Sequence, residues 1–123
     1  MANPVEKAAF ERRDERGTLM EVRNRGPWEA VLTGVMKAGA VMGNHYHRRT
    51  RVYFFLIAGR ALVDVVRVPD GKVESLALPA GHGVLLDPFE SHAIRFQEES
   101  RYILLKDTPY DPKDPDTFSH PIA

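Results

Sequence analysis

The sequence has no cysteine among its 123 residues. No disulfide framework, thiolate metal site, iron–sulfur cluster or cysteine nucleophile can form, so any metal site must draw on His, Asp or Glu. An excess of charge of one sign is also missing, because 17 Lys+Arg balance 17 Asp+Glu. A general nucleic-acid binder carries a basic surplus, so no nucleic-acid partner is expected. Long apolar runs are lacking too. The longest, Val52–Ala58, has seven residues. A membrane-spanning helix needs about twenty, so no membrane partner is expected. The opening Met1-Ala2-Asn3-Pro4-Val5-Glu6-Lys7 lacks a basic segment leading into an apolar core. No secretory signal is read there, and a cytoplasmic location is the expectation. Helical periodicity is scarce: no segment between Leu19 and Lys106 sustains it over about ten residues.

What is present has an ordinary globular balance, 43% hydrophobic and 28% charged. This length fits one domain with a sizeable core. Short segments rich in Val, Leu, Ile, Phe and Tyr read as strands at Leu19–Val22, Glu29–Lys37, Val52–Ala58, Ala61–Val68, Val73–Leu76, Gly83–Leu86, His92–Phe96 and Tyr102–Lys106. Turn signals separate them, among them Arg25-Gly26-Pro27, Lys37-Ala38-Gly39, Pro69-Asp70-Gly71 and Pro79-Ala80-Gly81. Strands at this spacing predict an all-β barrel or sandwich. Residues 1–18 are charge-dense and read as a solvated lead-in, with a short helix inside 5–13 as an option. From Asp107 the tail holds four prolines and four aspartates in seventeen residues and is expected to wrap the body in extended form.

Val52–Ala58 is apolar on both faces. A strand with one wet face alternates, so both faces of this one should be covered, the second by another sheet, a wrapping terminus or a partner subunit. A homodimer is the expectation drawn from it.

The histidines are at 45, 47, 82, 92 and 120. On a strand, His45 and His47 share a face and can reach one ion. Arg48, Arg49 and Arg51 follow directly, and Arg60 follows the next strand. Arg matches phosphate with paired hydrogen bonds, which makes these four candidate substrate-binding residues. A charged loop that keeps a sheet edge soluble is the other reading. His82 is expected on a loop or the surface and His120 in solvent.

Gly39, His45, His47 and Gly59 resemble in their spacing the first motif of the cupin family, Gly-x5-His-x-His-x3–4-Glu-x6-Gly. Gly81 and His92 resemble the second, Gly-x5-Pro-x-Gly-x2-His-x3-Asn. The resemblance covers about residues 29–106. It implies a cupin jelly-roll β-barrel with extended N- and C-terminal segments: one domain, 1–123, with its core at about 29–106 and its tail at 107–123. It implies metal ligation by His45, His47 and His92. This sequence departs from the motifs at Val52, where the glutamate ligand falls, and at Asp87, Phe89 and Phe96.

Three further stretches resemble cupin-type nucleotide-sugar epimerases and ketoisomerases. They are Asp14-Glu15-Arg16-Gly17 with Leu19, Gly43-Asn44-His45-Tyr46-His47, and the tail Tyr110 to Phe118, which is similar to tails of bifunctional capsule-sugar enzymes. The resemblance implies isomerisation or epimerisation of a nucleotide-sugar or a similar anionic sugar for surface polysaccharide. That chemistry needs a base for a C–H proton and a group that stabilises the enolate oxygen. Three histidines can hold Zn, Fe, Ni or Mn as Lewis acid. Without metal, His45 and His47 are the candidate acid–base residues. A three-His iron dioxygenase and a non-catalytic ligand-binding cupin are the alternatives.

Overall fold

The computed structural model describes residues 4–69 and 71–123. Among them every regular element is a strand: β1 (Val5–Lys7), β2 (Phe10–Asp14), β3 (Gly17–Glu21), β4 (Ala30–Met36), β5 (Val41–Tyr46), β6 (Val52–Ala58), β7 (Arg60–Arg67), β8 (Glu74–Pro79), β9 (His82–Leu86), β10 (Glu90–Phe96), β11 (Ser100–Lys106) and β12 (Phe118–Ser119). Two five-stranded antiparallel sheets have the orders β1-β9-β6-β11-β4 and β12-β5-β10-β7-β8. This is the expected all-β architecture. No helix of the described residues is long and apolar enough to cross a membrane.

Period-2 alternation builds the core. Val52, Phe54 and Leu56 of β6 face inward against Val63, Val84, Ile94 and Phe96. Phe54, Phe96 and Tyr102 meet ring to ring, with centroids 5.4–6.4 Å apart. The alternate residues Tyr53 and Phe55 form a second cluster on the outer face with Leu105. Ala8, Met20, Val22 and Trp28 pack over it, so the wrapping terminus supplies cover for the second apolar face.

The N-terminal region differs from the sequence expectation. The optional helix at 5–13 is absent, and β1 and β2 occupy those residues. β1 pairs with β9 through Val5↔Val84, and Val5 packs, half-buried, against the core cluster. β2 and β3 form a separate two-stranded ribbon. The turn of that ribbon is held by Asp14, whose Oδ1 accepts the Arg16 amide at 2.9 Å. β2 is exposed along its whole length, and this is why its charged sequence reads as lead-in; β3 overlaps the strand expected at Leu19–Val22 and turns Met20 onto the second cluster. The tail does wrap the body. β12 adds to β5 through Phe118↔Tyr46 and Ser119↔His45.

Candidate functional site

β5 pairs with β10, and the register shifts between His92 and Ala93: His92 lies opposite His45, but Ala93 lies opposite Gly43. Gly43 and Asn44 sit there at φ 94° and 60°, and together they form a β-bulge. Met42 packs on the core, and His45, three residues on, faces the same interior, which a regular period of two forbids. The bulge re-aims the side chains that follow it. A Cβ on Gly43 would come within 2.5 Å of the His92 carbonyl oxygen, so the approach of β5 to β10 requires glycine.

The three rings converge. Their centroids lie 5.0 Å apart for His45–His47, 4.8 Å for His45–His92 and 5.6 Å for His47–His92. They line a cavity of about 160 Å³ whose other walls include Met42, Val52, Leu86, Ile94 and Leu104. Burial drives His92 down to about 3, with the charges of His45 and His47 adding to it. Burial, then His47 and Lys106, drives His45 down to about 4. His47 is lowered by burial against an opposing hydrogen bond from Asp116. All three imidazoles are therefore neutral at neutral pH.

Their nitrogens are not equivalent. His47 Nδ1 lies 2.6 Å from the Asp116 carbonyl and His92 Nδ1 lies 3.3 Å from the Glu90 carbonyl. A carbonyl only accepts, so each Nδ1 carries the proton and each Nε2 presents a lone pair. This is the outer arrangement common behind metal-ligating histidines. The three residues each offer a ring nitrogen, and these atoms lie within 4.8 Å of one another. Three imidazole nitrogens are a donor set that suits a divalent transition metal. Val52, at the position of the absent glutamate, is 2% exposed and lines the cavity.

Lys106 went unnoticed in the sequence. It lines the same cavity, and its charge is one of those lowering His45 and His47. No carboxylate pairs with it among the described residues. The signal was available: Tyr102 and Leu104 of β11 face the core, and Lys106 continues that alternation. Asp116 and Thr117 of the tail were also missed. Thr117 lines the cavity.

The arginines stand differently from expectation. None of the four lines the cavity. Arg48 stacks over Phe118 at 4.2 Å, Arg49 pairs with Asp114 at 2.9 Å and Arg51 lies 3.6 Å from Asp107. These three remain on the loop that follows the histidines. Arg60 does not: it pairs with Glu98 at 2.9 Å. It lies five residues along β7 from Val65, the partner of His92, roughly 17 Å at strand rise. His82 opens β9, is half-buried, and is likewise outside the cavity. His120 is half-buried rather than solvated, its amide donating to the Asn44 carbonyl at 2.8 Å. Phe96 belongs to the core and Phe89 is 43% exposed, so neither plugs the cavity. A larger groove of about 1010 Å³ is lined by Glu6, Arg23, Arg25, Arg67, Lys72 and Glu74 among others, and by no histidine.

The family described as polysaccharide biosynthesis C-terminal domain matches residues 12–118. No curated protein matches. Among solved structures, the capsular polysaccharide assembling protein CapF from Staphylococcus aureus is 20% identical with a TM-score of 0.70, covering 98% of this chain and 34% of that one. The present chain thus spans about a third of that protein's length. WlaRA, a TDP-fucose-3,4-ketoisomerase from Campylobacter jejuni, is 13% identical with a TM-score of 0.77, covering 96% and 89%. ChmJ, a 3'-monoepimerase from Streptomyces bikiniensis solved with dTDP-quinovose, is 22% identical with a TM-score of 0.79, covering 95% and 68%. These likenesses establish the cupin jelly-roll fold.

Proposed function

The chain belongs to the polysaccharide biosynthesis C-terminal domain family, and from that premise we propose that it is an isomerase or epimerase acting on a nucleotide-linked sugar. It moves a proton at the carbon beside the sugar's carbonyl. One observation carries the reading: three neutral imidazoles share an apolar cavity with an ammonium that has no carboxylate partner among the described residues. Proton removal beside a carbonyl needs a lone pair aimed at the carbon and a cation on the oxygen.

His45 is the base. Its ring has no hydrogen-bond partner among the described residues, whereas His47 and His92 each commit one nitrogen to a carbonyl. Lys106 receives the oxygen that becomes an enolate. An anionic oxygen there cancels one of the charges that hold His45 down, so His45 becomes a stronger base with substrate in place. Return of the His45 proton to the former carbonyl carbon, with the adjacent hydroxyl proton passing to the enolate oxygen, gives the isomeric ketone; the epimer forms when a water on the opposite face donates a proton and protonated His45 neutralises the hydroxide left behind. The apolar walls keep bulk water away from the enolate.

A cavity of about 160 Å³ is smaller than the roughly 300–1,000 Å³ of pockets that enclose a drug-sized ligand. The sugar enters and the nucleotide stays outside, beside the loop of Arg48, Arg49 and Arg51. The Arg49–Asp114 pair is 53% and 72% exposed. Exposed pairs are worth about 0–1 kcal/mol, so a diphosphate can replace Asp114 on the guanidinium.

His45, His47 and His92 would also hold a divalent transition metal such as Zn, Fe, Ni or Mn, which when bound supplies a Lewis acid at the substrate oxygen. The test supplies a panel of dTDP-linked 4-keto sugars to chelated and metal-reconstituted protein and reads products by NMR. Turnover in both preparations supports proton transfer by the side chains alone, and turnover only after reconstitution assigns the metal. Oxygen consumption with iron in place of isomerisation would favour a dioxygenase. No product in any preparation would contradict the enzymatic reading.

A further inference from the structure

The C-terminal strap carries a buried carboxylate that the chemistry above leaves unused. Asp116 is 8% exposed. Its Oδ1 accepts the Arg48 amide at 2.8 Å. Its Oδ2 accepts the amides of Arg49 at 3.0 Å and Thr50 at 2.9 Å, and the Thr50 hydroxyl at 2.8 Å. All four donors come from the three residues that follow His47. Successive amides converging on one anion form a concave binding site for negative charge, which no neutral side chain fills equally well. The main-chain carbonyl of the same residue meets His47 Nδ1 at 2.6 Å.

We infer that Asp116 is a positioning residue that sets the tautomer and direction of His47. Its carboxylate latches the strap onto residues 48–50, and the latch brings its own carbonyl to the imidazole. The carbonyl fixes the proton on Nδ1 and leaves the Nε2 lone pair facing the cavity. The inference rests on the three-histidine cavity being the site, but it concerns the unliganded protein.

The strap has independent anchors. Asn44 Oδ1 accepts the amides of Ile122 at 2.8 Å and Ala123 at 3.0 Å, and Ser91 Oγ donates to the His120 carbonyl at 2.7 Å. β12 stays paired to β5 through these contacts. Loss of the Asp116 carboxylate therefore loosens the segment over His47 without releasing the tail.

The experiment labels histidine with ¹⁵N and reads each ring nitrogen by long-range NMR in chelated protein at neutral pH. In the native chain His47 should show a protonated Nδ1 and a bare Nε2. In Asp116→Ala the two His47 signals should move toward each other or exchange roles. Those of His92, held by the Glu90 carbonyl, should stay. Asp116→Asn keeps an acceptor oxygen for part of the amide cluster and should restore the native pattern in part. The inference is overturned by a native His47 protonated on Nε2, or by His47 signals unmoved in folded Asp116→Ala. Should Asp116→Ala not fold, Asp116→Asn decides alone: a partial shift supports the latch and an unmoved His47 overturns it. Substrate and metal are both absent, so failure of the proposed activity leaves this reading untouched.

Discussion

Acid should weaken this protein in a window set by its buried histidines. An imidazole titrates near 6.5 in the unfolded chain, whereas burial holds His92 at about 3 in the fold. Between those values the unfolded chain binds a proton that the folded chain refuses, so stability falls as pH falls. Going from neutrality to about pH 5 spans about 1.5 units below 6.5, and at 1.36 kcal/mol per unit His92 alone costs about 2 kcal/mol. His45, held at about 4, acts in the same direction but is half-exposed, and solvent screening makes its share smaller. Asp116 acts elsewhere. Burial works against its charge, but the Arg48, Arg49 and Thr50 hydrogen bonds outweigh it and hold the carboxyl at about 2. Its contribution is complete above 3.8 and is lost as pH falls toward 2. Urea titrations of chelated protein at about pH 7 and about pH 5 should differ by at least about 2 kcal/mol. In His92→Gln the difference should shrink by His92's share. Equal stability at both pH values, or a full difference in His92→Gln, would refute the claim that the triad is buried and neutral.

Three further perturbations test separate parts of the site. Gly43→Ala forces a side chain onto φ 94° and against the His92 carbonyl. It should cost about 1–3 kcal/mol or more, read by denaturation, and shift the NMR signals of His45. Lys106→Met removes the cation from the cavity. It should lower kcat by about 10²–10³ and let His45 and His47 titrate at higher pH, and an unchanged kcat would remove Lys106 from the chemistry. Val52→Glu places a carboxylate beside His47 on a residue 2% exposed. Without metal the variant should be destabilised by a buried charge, and once loaded it should retain a divalent metal through dialysis better than the parent. No gain in retention would mean that position 52 does not reach the ion.

Much of the barrel was legible because β6, β7, β9, β10 and β11 are β-branched and aromatic at the positions that the core requires. The three histidines were legible through motif spacing, which places residues of distant strands in one mouth. β5 was not, because the Gly43–Asn44 bulge breaks the period on which strand reading depends. Charged β2 is exposed along its whole length and so leaves no hydrophobic pattern. Arg60 was misplaced because adjacency to a strand end does not say which end of the barrel it is. Asp116 looked like one acidic residue among several in a proline-rich tail. Only the fold brings it 2.8 Å from an amide of residue 48.

The most direct test of the account is deuterium exchange at the carbon beside the carbonyl, because it needs only the first proton transfer and no knowledge of the product. A dTDP-linked 4-keto sugar is incubated with the protein in deuterium oxide, with His45→Ala and a no-protein control alongside, and the recovered sugar is weighed by mass spectrometry. The account predicts wash-in of deuterium with the native protein, at a rate far above the control, and its loss in His45→Ala. Exchange no faster than the control across the sugar panel, in protein shown to be folded and tested both with and without metal, would contradict it.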